Sequence, residues 1–334
     1  MKVLGIETSC DETAASVVGP EGVLSDVIHT QEVHVEYGGV VPELAGRAHA
    51  EQVVATVRAA LDRAGIEQPD AVAATGGPGL LGAVLVGLAF GKAVAAGWGV
   101  PFLGVNHLEG HLLSALLEDP APTFPFLSLV VSGGHTTLYL AHSLGQYEVL
   151  GRTVDDAAGE AYDKVARMMG LGYPGGPFID RLAADGDPAA IRFPRTVIKA
   201  GTRTRGSRRE RTDLDMSFSG LKTAVRTHLQ RTDGWSGPDV AASFQEAVSD
   251  VLCDRITRAA RRHNIDQIAL AGGVAANSRL RERVAALPMQ AFIPPRRRCT
   301  DNGSMIANVG RLRLMAGQQD SLDFAARSNW SPGT

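Results

Sequence analysis

His107 and His111, in VNHLEGHLL (residues 105–113), stand four positions apart and could do chemistry together. Side chains at i and i+4 share a helix face, so both imidazoles can reach one metal ion. Glu109 between them invites comparison with the zinc-protease motif HExxH, where a glutamate directly after the first histidine works as general base. Here the glutamate comes one residue later. At about 100° per residue it is turned about 200° from His107, onto the opposite helix face. That geometry argues against protease chemistry. It leaves two readings open, a metal pair or two unrelated histidines of which one caps the helix. A third ligand could come from Asp301 in CTDNGSM (299–305), whose ordinary role would be the N-cap of the helix after it. Cys299 beside it is either a soft ligand or a plain thiol.

Other segments carry weaker signals. ETSCDET (7–13) gathers Glu7, Asp11 and Glu12 in the first turn, where carboxylates could orient a metal or a reacting amine, or simply face water. SGGH (132–135) joins two apolar runs. Its glycines allow backbone N–H groups near an anion, and they equally suit a plain hairpin. LAGGVAAN (270–277) sets glycines at a strand-to-helix junction, where a helix N-terminus can face a nucleotide. Neither segment has the spacing of GxGxxG or GxxxxGK[ST], which disfavours dinucleotide binding and P-loop chemistry. The stretch 195–211 holds seven basic residues and one acid, a composition suited to a phosphate backbone or to a solvated loop. Arg255, Arg258 and Arg262 share one helix face, a fainter basic hint.

These residues need elements to position them. MKVLGI and AASVV read as strands around the acidic turn. PELAGRAHAEQVVATVRAALDRAG reads as a helix, with Pro42 in its first turn and Gly65 as its C-terminal cap. DAVAATGG is a strand, a Gly-rich helix begins near Leu80, PFLGV is a strand, and HLEGHLLSALLE is a helix. FPFLSLVV, a tight turn and TTLYLAH then repeat the opening. Helices follow at DDAAGEAYDKVARMMG, DVAASFQEAVSDVLCDRITRAARRH, VAANSRLRERVAAL and DNGSMIANVGRLRLMAG, with strands at QIALAGG and QAFIP. Strands alternating with helices imply an α/β protein with parallel or mixed sheets. The repeated opening implies two lobes and a cleft between them.

The whole chain sets bounds. Its 334 residues suit one large or two medium domains, with 44% hydrophobic and 21% charged residues. A net charge of −3 means that any nucleic acid must be held by a local basic patch. Three separated cysteines, Cys10, Cys253 and Cys299, fit a reducing cytoplasm. The N-terminus lacks the long apolar core of a signal peptide. The most apolar stretch, 79–99, is split by Lys92 and reads as a buried helix rather than a membrane span.

Taken together, GIETSCDET, YGGVVPELA, GPGL, HLEGH, LVVSGGHT, DDAAGEAYDKVARMMGLGYPGGP, SFSGLKTA, AGGVAAN and CTDNGSMIA resemble the tRNA N6-adenosine threonylcarbamoyltransferase (TsaD) family over nearly the whole chain. That family was once described as O-sialoglycoprotein endopeptidases. The resemblance implies an actin-like ATPase (ASKHA) fold, α/β, of two RNase H-like lobes with a cleft between them. It implies one lobe of residues 1–120 plus 300–325 with the histidine pair, and one of residues 121–299 with the nucleotide-binding turns. The implied reaction moves a threonylcarbamoyl group from threonylcarbamoyl-AMP to N6 of the adenosine 3′ to the anticodon, in tRNAs reading codons that begin with A. The metal ligands carried over are His107, His111 and Asp301, for one divalent ion, Fe(2+) favoured and Zn(2+) also suited. Val130, Val131, Ser132, Gly133, Gly134, Asp163, Gly176, Asp180 and Asn277 would contact the adenylate, threonylcarbamoyl-AMP or ATP. Asp11 and Glu12 would stand near the reacting centre. Implied partners are tRNA, a shorter paralogue (TsaB type), a small ATPase (TsaE type) and a separate threonylcarbamoyl-AMP synthase, with no membrane and a cytoplasmic location. Two departures stand out: Asn106 sits where many relatives carry another histidine, and the basic segment 199–211 is longer than the family pattern. The alternatives on the same scaffold are a small-molecule kinase and a non-enzymatic ATP-dependent binding subunit.

Overall fold

The computed structural model describes residues 1–333 except Val197, Lys199 and residues 202–209. Arg203, Arg205, Arg208 and Arg209 of the basic segment therefore lie outside the described residues. In chain order the elements are β1 (Val3–Glu7), β2 (Glu12–Gly19), β3 (Gly22–Thr30), α1 (Pro42–Ala64), β4 (Ala71–Gly77), α2 (Leu81–Trp98), β5 (Phe102–Asn106) and α3 (His107–Leu112). Then come β6 (Phe126–Val131), β7 (Thr136–Ser143), β8 (Gln146–Arg152), α4 (Ala158–Met168), α5 (Gly175–Ala183), α6 (Ser219–Arg231), α7 (Gly237–His263), β9 (Gln267–Ala271), α8 (Ser278–Ala285), β10 (Gln290–Phe292) and α9 (Gly303–Met315).

The chain divides into two compact units. The first comprises Met1–Ala121, Leu144–Gln146 and Asp301–Thr334, and the second Pro122–Ser143 and Tyr147–Thr300. The first sheet runs β3-β2-β1-β4-β5 and the second β10-β9-β6-β7-β8. In the first, β1 pairs antiparallel with β2 and parallel with β4; in the second, β6 pairs antiparallel with β7 and parallel with β9. The two sheets thus share one topology, which the repeated strand–turn–strand opening reflects.

In the first unit both faces of the sheet are covered, so β1 and β4 are buried along their whole length and mostly apolar, with Glu7 and Thr75 as the exceptions. Leu4 and Ile6 of β1 join a core with Val53 and Val57 of α1 and Leu88 of α2. The alternate residue Gly5 faces α9, where a Cβ would collide with the Gly303 carbonyl and Ala307. Helix α9 therefore lies against the strand backbone, and Glu7 follows Gly5 on that same face. Pro42 opens α1, and Gly65 closes it in a left-handed conformation at φ 64°. Helix α2 is long and apolar enough to cross a membrane by length and composition alone. Ala83, Val84, Gly87, Leu88, Gly91 and Ala95 are buried, whereas Leu81 and Leu85 are about half exposed, so the helix packs on one face and is not fully buried as its composition suggested.

The second unit is built around Leu127, Leu129, Tyr162, Phe244, Leu252 and Leu270. The sequence reading missed β3, β8, α5 and α6, and it placed one helix over 107–118. The structure ends α3 at Leu112 and continues as a 3-10 turn, Ser114–Leu117. Asn308 of α9 donates to the Leu113 carbonyl (3.3 Å), a group that a longer α-helix would use internally.

Candidate metal centre and adenylate-binding turns

The first unit brings the histidines and Asp301 together, and the caps of two helices explain how. Asn106 ends β5 and caps α3, its side-chain oxygen accepting from the N–H groups of Leu108 (2.9 Å) and Glu109 (3.2 Å). The slot before His107 thus serves helix initiation. At α9 the cap is Asn302, which accepts from Met305 N–H at 2.9 Å. Asp301 is relieved of the capping role that the sequence suggested for it. Its Oδ1 lies 2.9 Å from His111 Nε2 and 3.6 Å from His107 Nε2. One potential ligand atom from each of the three residues lies within 4.8 Å of the others.

Glu7 holds the first imidazole in place. Its carboxylate is fully buried and accepts from Ser9 N–H and the Thr75 hydroxyl, each at 2.5 Å. His107 Nδ1 lies 3.0 Å from Glu7 Oε2. An Nδ1–H donated to that oxygen leaves the Nε2 lone pair facing Asp301, the carboxylate–histidine arrangement that orients metal ligands. Burial pushes the Glu7 carboxyl up, but the His107 charge and hydrogen bond bring it below its ordinary value. Burial pushes His107 down, and Asp301 with Glu7 more than reverses this, raising it to about 9. A proton and a metal ion would compete for the Nε2 lone pair of this imidazole.

Glu109 faces the other way. It is buried and bonded to Arg313 of α9 at 2.8 and 3.1 Å. Its carboxylate holds two helices together and is no general base for this centre. Cys299 is also elsewhere, its thiol directed at the Pro294 and Pro295 carbonyls at 3.6 Å.

Asp11 lies in the turn after β1, and Glu12 opens β2. Burial, then Asp301, then Asp11 push the Glu12 carboxyl up to about 10. As a neutral acid Glu12 can donate a hydrogen bond but cannot accept a proton. A nearby dication would favour its ionised form. Burial, with Asp11, pushes the Cys10 thiol far above its ordinary value, so Cys10 supplies no thiolate. Two imidazoles and the Asp301 carboxylate form a donor set suited to one divalent ion.

The second unit carries the remaining predicted residues. Val130 and Val131 end β6, and Ser132–His135 form the turn into β7, closed by Ser132 N–H to the His135 carbonyl (2.7 Å). Cβ atoms added at Gly133 or Gly134 would meet open space. At Gly159, by contrast, a Cβ would lie 2.6 Å from the Ser132 carbonyl, so glycine lets the start of α4 abut this turn. The sequence reading gave Gly159 no role. Asp163 accepts from Gly175 N–H (2.7 Å) beside Gly176, at the start of α5. Asp180 accepts from Asn277 Nδ2 (3.0 Å), Ser278 N–H (3.0 Å) and the Ser278 hydroxyl (2.8 Å). Asn277 also donates to Gln245 Oε1 (3.0 Å), a partner absent from the sequence reading, and caps α8 through Leu280 N–H (3.0 Å). Asp180 and Asn277 are thus directly bonded. Val130–Gly134 and Asp163 lie on two further segments of the same unit, and Gly176 shares α5 with Asp180.

Comparison with known proteins bears on the family and the fold. The family model for tRNA N6-adenosine threonylcarbamoyltransferase (TsaD) matches residues 22–308. Relatives of that name include one from Anaeromyxobacter dehalogenans, 53% identical over 98% of this chain and 99% of the relative. Another, from Trichlorobacter lovleyi, is 48% identical over 99% of this chain and 96% of its own. Among solved structures, full-length HypF aligns with 94% of this chain and 46% of its own at 13% identity, with a TM-score of 0.62. Component A of the Acidaminococcus fermentans (R)-2-hydroxyglutaryl-CoA dehydratase aligns over 93% of this chain and 97% of its own at 14% identity, with a TM-score of 0.53. At those identities they bear on the fold alone, which is the actin-like ATPase architecture. The chain belongs to the tRNA N6-adenosine threonylcarbamoyltransferase family.

Proposed function

We propose that this chain transfers the threonylcarbamoyl group of threonylcarbamoyl-AMP to N6 of the adenosine 3′ to the anticodon, in tRNAs reading codons that begin with A. The observation that carries this reading is the convergence of His107, His111 and Asp301, backed by Glu7, in a chain of this family. In the reaction the adenosine N6 attacks the carbamoyl carbon, a C–N bond forms, the carbon–oxygen bond to the phosphate breaks, and AMP leaves. The N6 amine is a weak nucleophile because its lone pair is delocalised into the ring, so the carbonyl must be polarised and the amine placed and relieved of a proton. His107, His111 and Asp301 would hold one divalent ion, Fe(2+) by preference with Zn(2+) also suited to the donors, which supplies Lewis acidity toward the carbonyl oxygen. Asp11 and Glu12 orient the amine, and whichever is ionised receives its proton.

Val130, Val131, Ser132, Gly133, Gly134, Asp163, Gly176, Asp180 and Asn277 would bind the adenylate. The open space at Gly133 and Gly134 suits a phosphate approaching backbone N–H groups, and the Asp180–Asn277 pair offers polar atoms to a ribose. The macromolecular substrate is tRNA. A shorter paralogue (TsaB type), a small ATPase (TsaE type) and a separate threonylcarbamoyl-AMP synthase complete the system, which works in the cytoplasm. The small-molecule kinase alternative is not favoured, because the matched family and relatives carry the transferase name. Incubating the protein with threonylcarbamoyl-AMP and unmodified tRNA, then digesting the tRNA for nucleoside mass spectrometry, tests the proposal. A new threonylcarbamoyladenosine peak supports it. Phosphate transfer to a small molecule without that peak rejects it.

A further inference from the structure

The turn that carries Asp11 and Glu12 is gripped from behind by a directed chain of hydrogen bonds. Val41 N–H donates to His34 Nδ1 (3.3 Å), so that nitrogen is the acceptor and Nε2 bears the proton. His34 Nε2–H then donates to Gln31 Oε1 (2.8 Å). The Gln31 amide nitrogen is left to donate, and it lies 3.3 Å from His49 Nδ1, from His49 Nε2 and from the Ala45 carbonyl. The Thr13 hydroxyl donates to His49 Nδ1 (2.7 Å), and His49 Nε2–H donates to the Cys10 carbonyl (3.0 Å). The backbone of Gln31 closes the circuit, its N–H reaching the Asp11 carbonyl at 3.1 Å. Gln31, His34 and His49 are all buried. Thus Cys10 and Asp11 at the end of the turn and Thr13 at the start of β2 each bond to Gln31 or His49. The Cys10 carbonyl can only accept, so a neutral His49 carries its proton on Nε2 and leaves Nδ1 to accept from Thr13 and Gln31. Burial agrees, pushing this imidazole below its ordinary value.

We propose that His49, held by Gln31 and His34, is a positioning residue that fixes the Cys10–Thr13 turn and thereby sets where Asp11 and Glu12 stand. The inference rests on the proposed role of those two acids, and its tests separate the two. Ring-nitrogen NMR of the full-length protein at pH 7 reads the chain itself, independently of transfer. It should show His49 as the neutral Nε2–H tautomer. An Nδ1–H tautomer or an imidazolium overturns the chain.

Single-turnover transfer at saturating tRNA and threonylcarbamoyl-AMP reads the positioning. His49→Ala should slow the rate constant about tenfold or more with both affinities unchanged, since small misplacements of reacting groups carry such costs. His49→Gln, whose amide can donate to Cys10 and accept from Thr13, should recover most of the loss. Should His49→Ala fail to fold, Gln31→Leu serves in its place and should slow transfer with the same unchanged affinities. A full rate in whichever variant folds, or equal losses in His49→Ala and His49→Gln, overturns the positioning role. Full rates in Asp11→Ala and Glu12→Ala instead overturn the role of the acids, leaving the tautomer measurement to judge the chain.

Discussion

Helix α8 begins at Asn277 and helix α9 at Asn302, and each asparagine accepts from the N–H three residues on, at Leu280 and Met305. Each cap has an aspartate at hand. Asp180 is consumed by the start of α8, accepting from Asn277 Nδ2, Ser278 N–H and the Ser278 hydroxyl. Asp301 stands directly before its cap and turns to two imidazoles instead. The same cap therefore serves two ends. In the second unit the carboxylate completes a neutral-donor network and builds structure. In the first it adds negative charge beside the buried Glu7 carboxylate and helps push the Glu12 carboxyl up, an arrangement that a cation would stabilise.

Substitutions that treat the two carboxylates alike should have unlike consequences. Asp301→Ala removes a ligand, and single-turnover transfer should fall on the order of a thousandfold, since Lewis-acid assistance is worth several kcal/mol. A fall of less than tenfold would reduce Asp301 to a structural carboxylate and erase the distinction. Glu109→Ala should take from Arg313 its carboxylate partner, leaving it Gln318 Oε1 (3.0 Å), and cost about 3 kcal/mol in denaturant unfolding, while metal content stays at the wild-type level. Loss of the metal in a folded Glu109→Ala protein would return Glu109 to the centre.

Glu7→Gln keeps the shape but weakens the partner of His107, and equilibrium dialysis should find metal affinity reduced about ten- to a hundredfold. Unchanged affinity would mean that His107 needs no orienting carboxylate. In the second unit, Asn277→Ala should cost about 1–2 kcal/mol of stability, as lost caps do, and should weaken AMP binding without touching metal content.

The smallest expected effect concerns Asp156, which pairs with Lys164 (2.8 Å) and Lys222 (2.6 Å). Burial pushes its carboxyl up, but the hydrogen bonds from Lys164 and Lys222 and their charges hold it below 3.8. Its contribution is fully present above that ordinary value and is lost as pH falls through the lower folded-state value. Asp156→Asn should therefore be about 1 kcal/mol less stable than wild type at pH 7, and the gap should close as pH falls through the lowered folded-state value. A gap independent of pH would assign the loss to packing.

Local signals in the sequence were reliable where one element decided the outcome. Pro42 and Gly65 bound α1 as their backbone preferences require, and the 200° turn between His107 and Glu109 sent the glutamate to Arg313. The repeated strand–turn–strand opening foretold two sheets of one topology. Signals failed where a distant residue decided. Asp301 and Asn302 are both good caps, and nothing local says which is taken. Asn308 ends α3 from nearly 200 positions away in sequence, and the hold of Glu7 on His107 spans a hundred. Strand β3 lacks a clean apolar alternation, with intermediate burial along much of its length, so its periodicity was faint. Of the candidate site, the ligand types and the glycine turns were legible, whereas the bonds that aim them were not.

The metal centre itself is tested most directly by iron-edge anomalous diffraction or X-ray absorption on the protein purified without chelator. The expected result is one ion at about 2.0–2.2 Å from His107 Nε2, His111 Nε2 and an Asp301 oxygen. An ion bound elsewhere, or a reconstituted and active protein with no ion bonded to these three residues, would contradict the account.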